Sequence, residues 1–240
     1  MFAREYPVIA RMESQLRLWR EPSDQRSIFL ECYTLMTRNM LLAVDEGRFN
    51  DGVWVSALLD RFAGYYFDAL DVYSRSPDDT PKVWRHTFEV ACRTGLHSVQ
   101  HLFLGVNAHI RFDLVLTLTA MLRDEWPGLT DTERQMRYED HTRVNQIIYE
   151  TINEVQDTVI ERHSPEMSLV DTAMFGLDEW LIFRMISNWR DQTWQQAQAV
   201  MGCAAQGESD ELVRGIEARV LLHAEALLGQ HGIRGLLDLL

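Results

Sequence analysis

Glycine and proline are scarce in this chain, 13 and 6 of 240 residues. So little punctuation builds few turns, and the elements between them must be long. Cysteine is scarcer still. Cys32, Cys92 and Cys203 are widely scattered and form no Cys-x-x-Cys or Cys/His finger spacing. Such a set offers no disulfide framework and predicts a reducing, cytoplasmic setting. Positive charge is in deficit: 23 Lys and Arg against 36 Asp and Glu leave a net −13 at pH 7. That repels phosphate backbones and anionic bilayers, so nucleic acid is not an expected partner. No unbroken apolar run reaches the roughly 18 residues of a membrane helix. "MFAREYPVIARMESQLRLWREP" also lacks the apolar core and cleavage site of a signal peptide. No membrane span is therefore expected. Gly-x-Ser-x-Gly, the P-loop, Gly-x-Gly-x-x-Gly and His-Glu-x-x-His are all missing, as are the paired Glu-x-x-His motifs of di-iron bundles.

What is present is helical periodicity. Ile9, Met12, Leu16 and Trp19 keep a spacing near 3.6, and Ile28, Leu30, Leu35, Met40 and Leu41 follow it more loosely. Val53 to Leu70 reads as a helix leading to a Ser-Pro-Asp-Asp-Thr-Pro turn. Val83 to Leu122 is long enough for one kinked helix or two, with Gly95 and Gly105 as break points. Thr130 or Asp131 is the expected N-cap of the next helix. Val144, Ile147, Ile148, Ile152, Val155 and Val159 mark one face over Asp140 to Glu161. "RHSPEMS" interrupts it. A further helix is expected from about Asp171 to Val200, and a last one, capped by Ser209 or Asp210, ends near Gly229. No strand alternation of useful length occurs. The expectation is an all-α, single-domain bundle over residues 1–240 with about seven to nine helices.

The stretch "HSVQHLFLGVNAHIRFDLVLTL" is apolar enough for a core, yet carries polar groups. On a helix, His97, His101, Gly105, His109 and Asp113 form an i, i+4 row. Gly105 removes a side chain where another group can approach. A site built from His101, His109 and Asp113 is one reading; satisfied core histidines with an aspartate partner is the other. His141, Asn145 and Tyr149 form a second row beside Ile148 and Ile152, either part of a site or an interhelical clamp. Arg190 projects from a stripe of Phe183, Ile186, Trp194, Ala197 and Met201. A buried guanidinium calls for an anionic partner: Asp113, Asp140 or a substrate, unless its head snorkels to water. A divalent metal would draw on His109, Asp113, His101 and Asp140; no other cofactor is expected. The tryptophans read as core and lids.

"FLGVNAHIRFDL" resembles the Leu-Gly-x-Asn-Ala-His-Ile-Asn-x-Asp-Leu hallmark of an uncharacterised, mainly bacterial family of all-helical proteins. "FAGYYFDAL" with a downstream Trp, "YEDHTRVNQII" and "RDQTWQQA" are similar to three further stretches of that family. The resemblance implies a pocket shared by Asn107, His109, Asp113, Asp140, Asn145, Arg190 and Trp194. It does not carry over His97 or His101, and Arg111 stands where the family usually has Asn. The spacing His-x3-Asp is more remotely similar to the helical zinc phospholipase C and nuclease group, whose other ligand motifs are missing here.

The function expected from these residues is a small-molecule enzyme performing cyclisation, isomerisation or hydrolysis. His109 would be its acid or base, oriented by Asp113 and joined by Asp140. Asn107, Asn145, Arg190 and Trp194 would bind the substrate. A metal-dependent hydrolase and a non-catalytic binding or scaffold protein are the alternatives. The helix of His109 and Asp113 is expected to be central, packed on those of Asn145 and Arg190, with Arg190 meeting a carboxylate.

Overall fold

A computed structural model describes residues 6–19, 24–93, 95–163 and 179–229. The helices are α1 (Pro7–Leu18), α2 (Arg26–Asp45), α3 (Gly52–Arg75), α4 (Lys82–Ala91), α5 (Ser98–Ala108), α6 (Leu114–Glu125), α7 (Asp131–Val155), α8 (Glu161–His163), α9 (Glu179–Met201) and α10 (Gln206–Leu228). α5 and α6 are one rod joined by a π turn, His109–Asp113, in which the Leu114 N–H reaches back five residues to the His109 carbonyl. A second π turn, Gln156–Ile160, joins α7 to α8. Among the described residues there is no strand, and the fold is all-α, as the periodicity predicts.

The chain's own chemistry explains most boundaries. Asp51 caps α3, its side chain accepting from the Trp54 N–H at 2.9 Å. Thr130 and Glu133 close a reciprocal box before α7, with the Thr130 N–H donating to Glu133 at 2.8 Å. Gly95, at φ +90°, turns the chain between α4 and α5. Gly105, the other expected break, lies inside α5 instead. α10 begins earlier than expected, at Gln206, because Ser209 is drawn inside: its hydroxyl receives a hydrogen bond from Arg123 at 3.3 Å. The expected helix start near Asp171 lies outside the described residues.

The α5–α6 rod is the axis of the bundle. α5 packs on α2, α4 and α10, and α6 on α3 and α9. α7 packs chiefly on α2 and α9. The helix of His109 and Asp113 is thus central and meets the helix of Arg190, while the helix of Asn145 lies mainly behind α9 and α2. By length and composition alone, Ser98–Gly128 is apolar enough to cross a membrane (hydropathy 1.3), but 78% of its most apolar window is buried inside the bundle. A core helix has the same character. The main core includes Ile28, Leu30, Tyr66, Trp84, Leu114, Leu118 and Leu122, all fully or nearly fully buried.

Candidate functional site

The residues expected to share one pocket are divided among four places. The first is the π turn. His109 is 3% exposed and Asp113 2%. His109 Nδ1 lies 2.8 Å from Asp113 Oδ2. The Trp84 indole N–H donates to both oxygens of the same carboxyl, at 3.0 and 2.9 Å. Around the imidazole stand aromatic rings. Phe62 stacks on it with centroids 3.6 Å apart, Tyr33 meets it edge-on at 4.3 Å, and Phe29, Tyr66 and Trp84 complete the cage at 5.7, 6.2 and 6.1 Å.

Local sequence builds this cage. Phe62 and Tyr66 are one turn apart on α3, as are Phe29 and Tyr33 on α2, so each helix offers a pair of rings on one face. Gly105 lets the Phe29 ring lie against the α5 backbone, since a Cβ at 105 would stand 2.3 Å from the Phe29 ring. Burial lowers His109 well below the usual histidine range and raises Asp113 well above the usual carboxylate range, the Trp84 N–H opposing the latter. Three polar atoms in the cage have no hydrogen-bond partner among the described residues: His109 Nε2, Tyr33 Oη and Tyr66 Oη. Burial, aided by Asp113, raises the Tyr33 phenol well above its normal range, and the Thr37 hydroxyl partly opposes this. That hydroxyl is itself spent on the Tyr33 carbonyl at 2.8 Å. A void of about 10 Å³ adjoins the cage, lined in part by Arg26, Tyr66, Trp84 and His101. It has room for about one water.

The second place is a clamp between α7 and α9. Arg190 Nε donates to Asn145 Oδ1 at 2.7 Å, and its Nη2 donates to the His141 carbonyl at 2.6 Å and to His141 Nδ1 at 3.3 Å. His141 Nε2 then donates to the Arg190 carbonyl at 3.0 Å, which fixes the tautomer. The expectation that Arg190 meets Asp113 or Asp140 is corrected here: among the described residues no carboxylate lies in ion-pair range of it. Asp113 is already served by Trp84 and His109, and neutral acceptors suffice for a guanidinium that burial brings down only to about 10. Trp194 packs on His141 at 5.1 Å and on Tyr138 at 5.3 Å. It also lines an outer cleft of about 390 Å³ together with Trp126, Tyr138 and Asp191.

Asp140 occupies the third place. Its two oxygens accept the backbone N–H groups of Asn50 and Asp51 at 2.7 and 2.8 Å, just ahead of α3. Asn107 occupies the fourth, donating to the Val220 carbonyl of α10 at 3.0 Å. His101, Asp140 and the His109–Asp113 pair do not gather round one point. Among the described residues no three His, Cys, Asp or Glu side chains form a metal-binding group.

Sequence reasoning missed Trp84 and the four rings of Phe29, Tyr33, Phe62 and Tyr66. The signal available was the aromatic density of "FAGYYFDAL" and the i, i+4 spacing of its rings. Comparison of the chain with curated proteins and with solved structures gives no match. The model of a family of unknown function, DUF5995, matches residues 6–230, and the chain belongs to that family.

Proposed function

We propose that the protein is a small-molecule enzyme working by proton transfer at the His109–Asp113 pair. One observation carries this: His109 Nδ1 is held by a carboxyl while Nε2 is buried among aromatic rings without a partner. With Asp113 ionised, Nδ1–H donates to it and Nε2 is a base. With Asp113 protonated, its O–H donates to Nδ1 and Nε2–H is an acid. A proton taken up at Nε2 is matched by movement of the Nδ1 proton to Asp113, so the pair passes from one negative charge to none and no imidazolium is formed. The Tyr33 and Tyr66 hydroxyls are donors for a carbonyl or hydroxyl oxygen. The substrate class is therefore a mainly apolar small molecule bearing one such oxygen. Of cyclisation, isomerisation and hydrolysis, a cage walled by aromatic rings favours the first two, which consume no water.

A structural lock would leave fewer groups open. Each unpartnered buried polar atom costs about 1–3 kcal/mol, and here there are three, the imidazole's own Nε2 and two phenol hydroxyls of the cage. The lock reading draws on a different observation, the smallness of the adjoining void, which makes entry depend on the rings swinging aside. The test compares wild type with His109→Gln of matched thermal midpoint, each incubated with a metabolite extract and followed by mass spectrometry. The expected result is a compound consumed by wild type alone. No compound consumed, or equal consumption by both, would leave the lock as the better account.

A further inference from the structure

Arg111 lies on the side of the rod away from His109 and Asp113, two residues from each. Its guanidinium sits over the Trp189 ring, 5.0 Å from the centroid, and its Nη1 is buried without a hydrogen-bond partner among the described residues. α10 runs alongside. Asn107, one turn before Arg111, is bonded to the Val220 carbonyl, and that register brings Arg219 and His223 of α10 to the same region. His223 Nδ1 is also buried, with no hydrogen-bond partner among the described residues. The positive groups act on one another. Burial and then Arg219 bring Arg111 down to about 10, and burial and then Arg111 lower His223. The Arg219 carbonyl, one turn back, opposes the latter shift.

Among the described residues, no carboxylate pairs with either arginine. Acids are plentiful in the chain, 36 against 23 bases, so two neighbouring arginines without one leave an electrostatic demand open. We propose that Arg111, Arg219 and His223 bind the phosphate group of a small soluble molecule. Two guanidinium forks and an imidazole present more donors than the two oxygens of a carboxylate use, and they suit a tetrahedral dianion. Trp189 beneath Arg111 holds the fork in one plane. The net charge of −13 opposes docking on an anionic bilayer, which points to a soluble source. This site stands apart from the aromatic cage and does not depend on the proton-transfer reading.

The experiment measures the thermal midpoint of the whole chain against inorganic phosphate, with acetate and chloride at equal ionic strength. Phosphate should raise the midpoint by roughly 5–10 °C at a hundredfold excess over its Kd, and the other two should not. Arg111→Asn and Arg219→Gln should each weaken phosphate binding at least about tenfold, the loss of one charge-assisted contact. Should Arg111→Asn fail to fold, Arg219→Gln, altering an exposed side chain, decides alone. Acetate matching phosphate, Arg219→Gln binding as wild type does, or no rise at all overturns the proposal. So does sedimentation with phosphatidic acid vesicles that Arg219→Gln abolishes, since the source would then be lipid.

Discussion

His109 Nδ1 and Asp113 Oδ2 lie 2.8 Å apart within the single π turn of the central rod, and the carboxyl is shared with the indole N–H of Trp84. π turns inside α-helices are found often at functional sites. Here the turn carries two ionisable groups into the most aromatic part of the core, and burial disfavours the charged form of both.

Asp113→Ala removes the acceptor of two buried donors, Trp84 Nε1 and His109 Nδ1. With about 1–3 kcal/mol for each donor and a cavity besides, the expected loss is about 3–5 kcal/mol. Urea unfolding measures it. A loss under about 1 kcal/mol would mean that water already serves these groups, against the sealed cage.

Acid should weaken the fold with a slope set by histidines. His109 is kept neutral by burial, and His141 by burial and then the Arg190 charge. The unfolded chain protonates both below about pH 6.5 and the folded chain does not, so each removes about 1.4 kcal/mol per pH unit below that point. Asp113 acts oppositely. Its raised folded pKa means that stability falls as pH rises above about 3.8. Between about pH 4 and 6 two histidines outweigh one aspartate, so stability should rise with pH. Urea midpoints across this range test the sign, and His141→Gln should remove about one proton from the slope. A flat wild-type profile contradicts the assignment.

Gly105→Ala ought to gain about 1 kcal/mol of helix propensity but places a Cβ 2.3 Å from the Phe29 ring. Overpacking of this kind costs about 1–3 kcal/mol or more, so the thermal midpoint should fall. Adding Phe29→Leu should recover part of the loss. If Gly105→Ala alone stabilises the protein, the close approach of Phe29 is not as described.

Asp140→Ala should destabilise the protein while leaving any turnover intact. The carboxylate satisfies the N–H groups of Asn50 and Asp51 and is fully buried. Charge-assisted bonds are worth about 1.5–3 kcal/mol each, so a loss of about 3–6 kcal/mol is expected by urea unfolding. Activity lost in a variant that remains folded would return Asp140 to the catalytic set.

The helical class, the hidden faces of α7 and α9, the Thr130 cap and the i, i+4 pairing of His109 with Asp113 were all legible in the sequence. Each depends on residues within a turn or two of one another, and helix geometry translates such spacing directly into neighbourhood. The chain's membership of its family rests on the same linear information.

Which helices meet, and therefore what each polar group bonds to, was decided only by tertiary packing. Arg190 required a partner, but whether that was Asp113, Asp140 or the Asn145 and His141 it actually holds depended on α9 lying against α7 at that register. Asp113 required donors, and one came from Trp84, 29 residues away on α4. Asp140 was placed among acid–base candidates by type, yet packing set it against the two N–H groups ahead of α3. The aromatic cage likewise combines rings from α2, α3 and α4 round a histidine of the central rod. Spacing along one helix states what a side chain needs. Only the packing of several helices, driven by burial of their apolar faces and indifferent to the identity of individual polar partners, determines which groups supply it.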